Sequence, residues 1–338
     1  MPKHIWIINE YAGSPYYGME FRHYYLAREL IKLGYKVTII SSSYSHLFKE
    51  FPNPGKENID GIDYLWLKTL NYGNAHSKKR VLKWFIFSFK LFELPFKLTK
   101  PDVIIVSPMA TTSVYPAWLL AKYYKAKFIF EVKDIWPQTL VEIGGYSHKH
   151  IFIKFLKKLE IFALKKSDLI ISNLINYQQY LIDNNINKQS YWISNGVDLD
   201  ELQHIEPLDD KIRTQIPNNK FIIGYTGTIG AANAIDTFLE AHKYIDNDDI
   251  IFVIVGDGQE KPKLINYYKN DKIIFLDSIP KKQIQSLLRL FDFIKISLPI
   301  ALIKLWAFLF NSVFNWFLIL TLFSCIFKIR LFVLKNNT

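Results

Sequence analysis

The chain has 338 residues, half of them hydrophobic and 22% charged, which excludes both a disordered protein and a single small domain and leaves room for two domains with cores of their own. A single cysteine, Cys325, excludes a disulfide framework and a Cys-based metal site and fits a reducing compartment. The formal net charge of +11 calls for an anionic partner without choosing among nucleic acid, an acidic membrane face and a phosphorylated substrate.

The first apolar run, 5–8, is too short for a signal-peptide core, so the expected location is the cytoplasm. Further short β-rich runs at 37–40, 103–106, 128–132 and 169–171 alternate with helix-like stretches, the rhythm of a parallel α/β sheet. A helix is expected over about 20–33, with Leu26, Leu30 and Leu33 on one side and Gly34 ending it. The segment 78–98 combines Lys78, Lys79 and Arg80 with Trp84, Phe85, Phe87, Phe89, Phe92 and Phe96, while Lys83, Lys90 and Lys97 recur every seven residues. On one helix those lysines share a face, which reads either as a basic aromatic helix lying in a membrane interface or as a core helix with solvated lysines.

Near Asn195-Gly196-Val197-Asp198 the pattern pauses, and a polar stretch with Pro207 and Pro217 leads to further strands at 221–225, 250–255 and 273–276. The expected fold is α/β, two Rossmann-like domains facing a cleft, over 1–195 and 196–292. Residues 293–338 contain no Asp, Glu or Gly, unlike anything upstream, so the second domain reads as incomplete. Within them 305–327 has no charge, is flanked by Lys304, Lys328 and Arg330, and is long enough to span a bilayer.

Several motifs fall where α/β sheets bind ligands. Gly13 and Gly18 bracket the loop between the first strand and its helix, and a glycine loop there can approach a phosphate, although a plain strand-to-helix turn looks the same. In the second half, Thr226-Gly227-Thr228-Ile229-Gly230 follows a strand, and its amides with Thr228 suit a diphosphate; a tight packing turn is the alternative. Val255-Gly256-Asp257-Gly258 ends the next strand, where Asp257 is also an ordinary turn residue. Glu131-Val132-Lys133-Asp134 puts two carboxylates and a lysine at a strand end, which suits a cleft or a solvated loop. The eight histidines form no HExxH pair, so no metal site is expected, and neither a GxSxG elbow nor an RNA-binding aromatic signature is present. The missing GxGxxG fingerprint argues against a nicotinamide-dependent oxidoreductase.

Taken together, Gly18-Met19-Glu20-Phe21-Arg22, Asp134-Ile135-Trp136-Pro137, Ser194-Asn195-Gly196-Val197-Asp198, Tyr225-Thr226-Gly227-Thr228 and Val255-Gly256-Asp257-Gly258 resemble the retaining family-four glycosyltransferases, especially bacterial enzymes of O-antigen or capsule assembly. The resemblance covers about His4 to Asp292 and implies a GT-B fold, with a nucleotide-sugar donor, taken as UDP-linked, in the second domain. It implies a polyprenyl-diphosphate-linked acceptor in the first domain, at the inner face of the cell membrane. It further implies that Gly227 and Thr228 lie at the donor diphosphate, with Gly256 beside them, that Gly18 faces the reacting sugar and that Asp134 approaches sugar and acceptor. No cofactor, divalent metal or nucleic acid enters such a reaction. One departure stands out: the family's Glu-containing helix, which binds the donor ribose and sugar, should follow Asp292, and no carboxylate exists there. The expectation is therefore a transferase whose reading frame is lost near Phe293 and whose activity is weak or absent. The alternative is a membrane-tethered nucleotide-sugar-binding protein without catalysis.

Overall fold

The computed structural model describes residues 3–294 apart from 19, 49, 74–76, 110, 143, 197 and 246. The segment from 295 onward, including the span expected over 305–327, lies outside the described residues. No helix among those described is long and apolar enough to cross a membrane. The chain parts into two compact units between Asp198 and Leu199.

Unit one is built on strands β1 (His4–Ile8), β2 (Lys36–Ser42), β3 (Gly55–Ile59), β4 (Ile62–Leu67), β5 (Val103–Val106), β6 (Lys127–Val132), β7 (Leu169–Ser172) and β8 (Ser190–Trp192). They form one sheet in the order β3-β4-β2-β1-β5-β6-β7-β8. Every neighbouring pair is parallel except β3 with β4. All five residues of β1 are buried, as a strand covered on both faces requires. Two apolar clusters cover the sheet, one around Trp6, Phe87, Leu120 and Leu164 and the other around Ile7, Tyr24, Ile39 and Trp66.

Unit two carries β9 (Phe221–Thr226), β10 (Ile250–Val255), β11 (Ile273–Leu276) and β12 (Phe293–Ile294), all parallel, in the order β11-β10-β9-β12. Strand β12 occupies the two residues at which the atypical composition begins. The same device sets three strands in both units. An Asp just before β5, β7 and β12 accepts, through its carboxylate, a backbone N–H of the neighbouring β1, β6 and β9: Asp102 from His4, Asp168 from Phe128 and Asp292 from Ile222, each at 2.8 Å. Each of these Asp amides also donates back to the carbonyl of the same partner. Phe293 thus enters the sheet as Val103 and Leu169 do.

Two expectations need correction. Helix α1 runs over Arg22–Lys32 and ends before Gly34 at φ +86°, but its buried residues are His23, Tyr24 and Ala27. Leu26 and Leu30 pack beside that stripe, and Leu33 is exposed. The basic segment is not one helix either. Helix α2 (Lys78–Lys90) gives way to a 3-10 turn at Leu91–Glu93 and then to the short α3 (Leu94–Lys97), whose Pro95 provides no N–H. Lys83 is buried, and Lys90 and Lys97 pair with Glu93 instead of forming a continuous basic stripe. The α2–α3 surface nevertheless exposes Leu82, Phe89, Phe92 and Phe96.

Candidate active site

The carboxyl ends of the unit-one strands gather the charged groups of the first half. Glu131, the fifth residue of β6, is buried and accepts hydrogen bonds from Arg22 Nε at 3.0 Å and Arg22 Nη2 at 2.9 Å. Its other oxygen lies 2.6 Å from His23 Nε2. His23 Nδ1 lies 3.2 Å from Glu20 Oε2, and Lys133 Nζ donates to Glu20 Oε1 at 3.0 Å. Five residues from the β1 loop, α1 and β6 thus form one alternating chain of charges.

Burial alone would raise the Glu131 carboxyl pKa, but His23 and Arg22 outweigh it and hold it well below the usual carboxylate range. Glu20 follows the same logic: burial opposes ionisation, and His23 with Lys133 overcomes it. Burial likewise disfavours the imidazolium of His23, yet the two carboxylates push its pKa above the ordinary value. The cluster is therefore a fixed set of full charges in a region of low dielectric, able to hold two loops in register.

Gly18 sits in the loop ahead of Glu20 at φ +83°, and a Cβ there would meet the Phe48 ring at 2.6 Å, so both conformation and space demand glycine. Asp134 lies two residues beyond β6 and is exposed. Partial loss of solvation pushes its carboxyl pKa up, with Lys133 opposing. A cavity of about 10 Å³, room for about one water, is lined by Asp134, Glu131, Trp136 and Glu160. The Lys133–Glu20 pair brings the Gly18 loop and the Asp134 loop together.

In unit two, Gly227, Thr228 and Gly256 are brought together at the carboxyl ends of β9 and β10. Gly227 N–H donates to Val255 O at 3.0 Å. A Cβ on Gly256, whose φ is +144°, would sit 1.9 Å from Gly227 O. Ile229 N–H is also committed, to Asp257 O at 2.9 Å, so the loop amides are not all open to a ligand as the motif suggests. Among the described residues the Thr228 amide makes no hydrogen bond, and this residue is exposed. Lys261, buried beneath, joins the ends of β10 and β11: Nζ donates to Asp257 Oδ1 at 3.4 Å, Leu276 O at 3.0 Å and Asp277 Oδ1 at 2.6 Å. A cavity of about 590 Å³ lies at the other end of these strands, beside Lys220, Asp248 and Asp271, and takes no part in this site.

Sequence reading passed over His23 and Lys261. The Glu20–His23 spacing of three at a helix start was the available signal for the first. Lys261 has none, since its burial follows from the fold. Among the described residues no group of His, Cys, Asp or Glu could hold a metal ion.

A family model described as Glycosyltransferase Family 4 matches residues 16–201, more than half of the chain. The chain belongs to glycosyltransferase family 4. A second model, Glycosyl transferases group 1, matches residues 208–295. WcaI of Escherichia coli (strain K12), whose name assigns it to colanic acid biosynthesis as a glycosyl transferase, is 38% identical over 65 residues. That stretch is 18% of this chain and only 16% of WcaI. Among solved structures, sucrose-phosphate synthase from Thermosynechococcus elongatus aligns with a TM-score of 0.63 at 15% identity, over 86% of this family-4 chain and 74% of the synthase. Anabaena HepE in complex with UDP and glucose aligns with a TM-score of 0.56 at 12% identity, over 86% and 73%. At such identities the likeness is one of fold, α/β units like those of GT-B glycosyltransferases, and the family assignment rests on the family model.

Proposed function

We propose that this family-4 glycosyltransferase is built to move a hexosyl or N-acetylaminosugar unit, with retention of configuration, from a UDP-linked donor to a polyprenyl-diphosphate-linked acceptor in surface-polysaccharide assembly. The observation that carries the donor half is the Gly227–Gly256 contact, which keeps the carboxyl ends of β9 and β10 free of side chains beside the open Thr228. The donor diphosphate lies against that loop, Gly256 giving it room. Asp134 works from the acceptor side with Gly18, and stabilisation of the leaving diphosphate supplies most of the rate. The donor assignment is consistent with HepE, solved with UDP, and the polysaccharide role with the name of WcaI. The exposed aromatics of α2–α3, flanked by Lys79 and Lys97, favour work at the inner face of the membrane. Family membership favours transfer over a tethered binding protein without catalysis. Turnover by this chain is expected to be slight, because residues 293–338 offer no carboxylate to the donor ribose.

Calorimetric titration with UDP tests the reading. Saturable binding that is lost in Gly256→Val is the expected result, and no binding at millimolar UDP refutes it.

A further inference from the structure

A donor diphosphate is a polyanion, and the strand whose end would receive it brings no positive charge. Residues 221–241, which make β9, the Gly227 loop and the helix after it, contain no Lys or Arg. The loop after β10 instead carries an acid, Asp257, with a side chain 62% exposed. A second carboxylate, Asp277, directly follows β11 and is 87% exposed. Two carboxylates at the carboxyl ends of neighbouring strands repel a diphosphate unless a cation cancels them.

Asp257 is fixed beside the Thr228 loop on both sides. Its carbonyl accepts from Ile229 N–H, a Cβ on Gly256 would meet Gly227 O, and a Cβ on Gly258 would sit 2.1 Å from Ile229 O. A hydrogen bond from Ser278, together with the charge of Lys261, holds the Asp257 carboxyl below the usual carboxylate range, so it is ionised at neutral pH. Lys261 is the cation common to both acids. Its side chain is 11% exposed, and its three N–H groups go to Asp257, Asp277 and the carbonyl of Leu276. The lysines that follow β11 are engaged elsewhere: Lys281 pairs with Glu201 at 2.6 Å and Lys282 with Glu206 at 3.1 Å.

We infer that Lys261 is an electrostatic positioning residue of the donor site: it cancels Asp257 and Asp277, and so lets a nucleoside diphosphate lie against the Thr228 loop. The inference rests on the donor reading given above and deepens it. Lys261 does not touch the diphosphate, since its N–H groups are all committed to the protein. It acts through the two acids, whose charge it removes from the field the ligand meets.

The test titrates UDP into the full chain at about 10 mM and about 1 M salt, where charges are screened over about 30 Å and about 3 Å. At low salt Lys261→Met should weaken UDP binding roughly ten-fold, because both acids are then unopposed, and at high salt the gap to wild type should close to about two-fold. Asp257→Asn with Asp277→Asn should tighten binding roughly ten-fold at low salt, because the ammonium is then unopposed. The triple variant, which removes all three charges, should return to within about three-fold of wild type. Loss of packing weakens binding and does not tighten it, so the opposite signs separate charge from structure. Both acids are mostly exposed, so the double Asn variant keeps the test open even where Lys261→Met fails to fold. A double Asn variant that does not tighten binding, or a Lys261→Met loss that persists at high salt, overturns the role of Lys261 and leaves the donor site standing. No UDP binding by wild type or any variant overturns the donor reading, and the role of Lys261 with it.

Discussion

Replacing Glu131 by alanine removes the carboxylate that both Arg22 and His23 use. A buried ion pair broken from one side costs about 3–5 kcal/mol, because the partner charges stay behind without compensation. Here Arg22 keeps the carbonyls of Ile193 and Ser194, each at 2.9 Å, and His23 can shed its proton, so the lower end, about 3 kcal/mol, is expected. Urea denaturation near pH 6, followed by tryptophan fluorescence, measures it well, since six of the eight tryptophans lie before Asp198. The pH dependence is the sharper check. Glu131 has a lowered pKa, so its stabilisation is present above the unfolded carboxylate value of 4.5 and fades as pH falls below it. His23 has a raised pKa, so its share is present below the unfolded value of 6.5 and fades as pH rises through the folded value. The gap between wild type and variant should therefore be widest between these two values. A loss under about 1 kcal/mol, or a gap that does not change with pH, would show that the cluster is not the charged network derived above.

Gly256→Val forces a side chain toward Gly227 O from a left-handed backbone, which should cost about 1–3 kcal/mol in thermal unfolding and weaken UDP binding by an order of magnitude or more. Asp134→Asn should raise the melting temperature at pH 7 and leave it unchanged near pH 3: a carboxylate with a raised pKa destabilises the fold only where it is ionised. Phe89→Glu with Phe96→Glu, both exposed in the wild type, should abolish co-sedimentation with vesicles containing anionic lipid while the circular dichroism spectrum stays the same.

The strands buried on both faces were legible because they are apolar without interruption; 250–255 and 273–276 coincide with β10 and β11. The hairpin β3–β4 was missed although its signal was there: Asp60-Gly61, with φ of +51° and +84°, is the two-residue turn that joins antiparallel strands. The polar run Lys56-Glu57-Asn58 on both faces of this edge strand hid it, since only Ile59 is buried. Spacing could not show that Lys83 turns inward where Lys90 and Lys97 do not, since a seven-residue repeat predicts a shared face only while the helix lasts. The glycines of both loops were legible as backbone requirements. The charge chain from Lys133 to Arg22 was not, because Glu131 lies 109 residues from Arg22 and meets it only once the sheet is assembled.

Arg22 and Arg28 have a further consequence. Arg22 Nη1 donates to Asn195 Oδ1 at 3.0 Å and Arg28 Nη1 to Asp198 Oδ2 at 2.5 Å, so one helix near the start of the chain fastens the last residues of unit one. Ile193, Ser194, Asn195 and Asp198 therefore belong mechanically to the first unit, and a protease probing the junction should find its first yielding peptide bond after Asp198, not at the Asn195-Gly196 pair that the sequence marks as the pause.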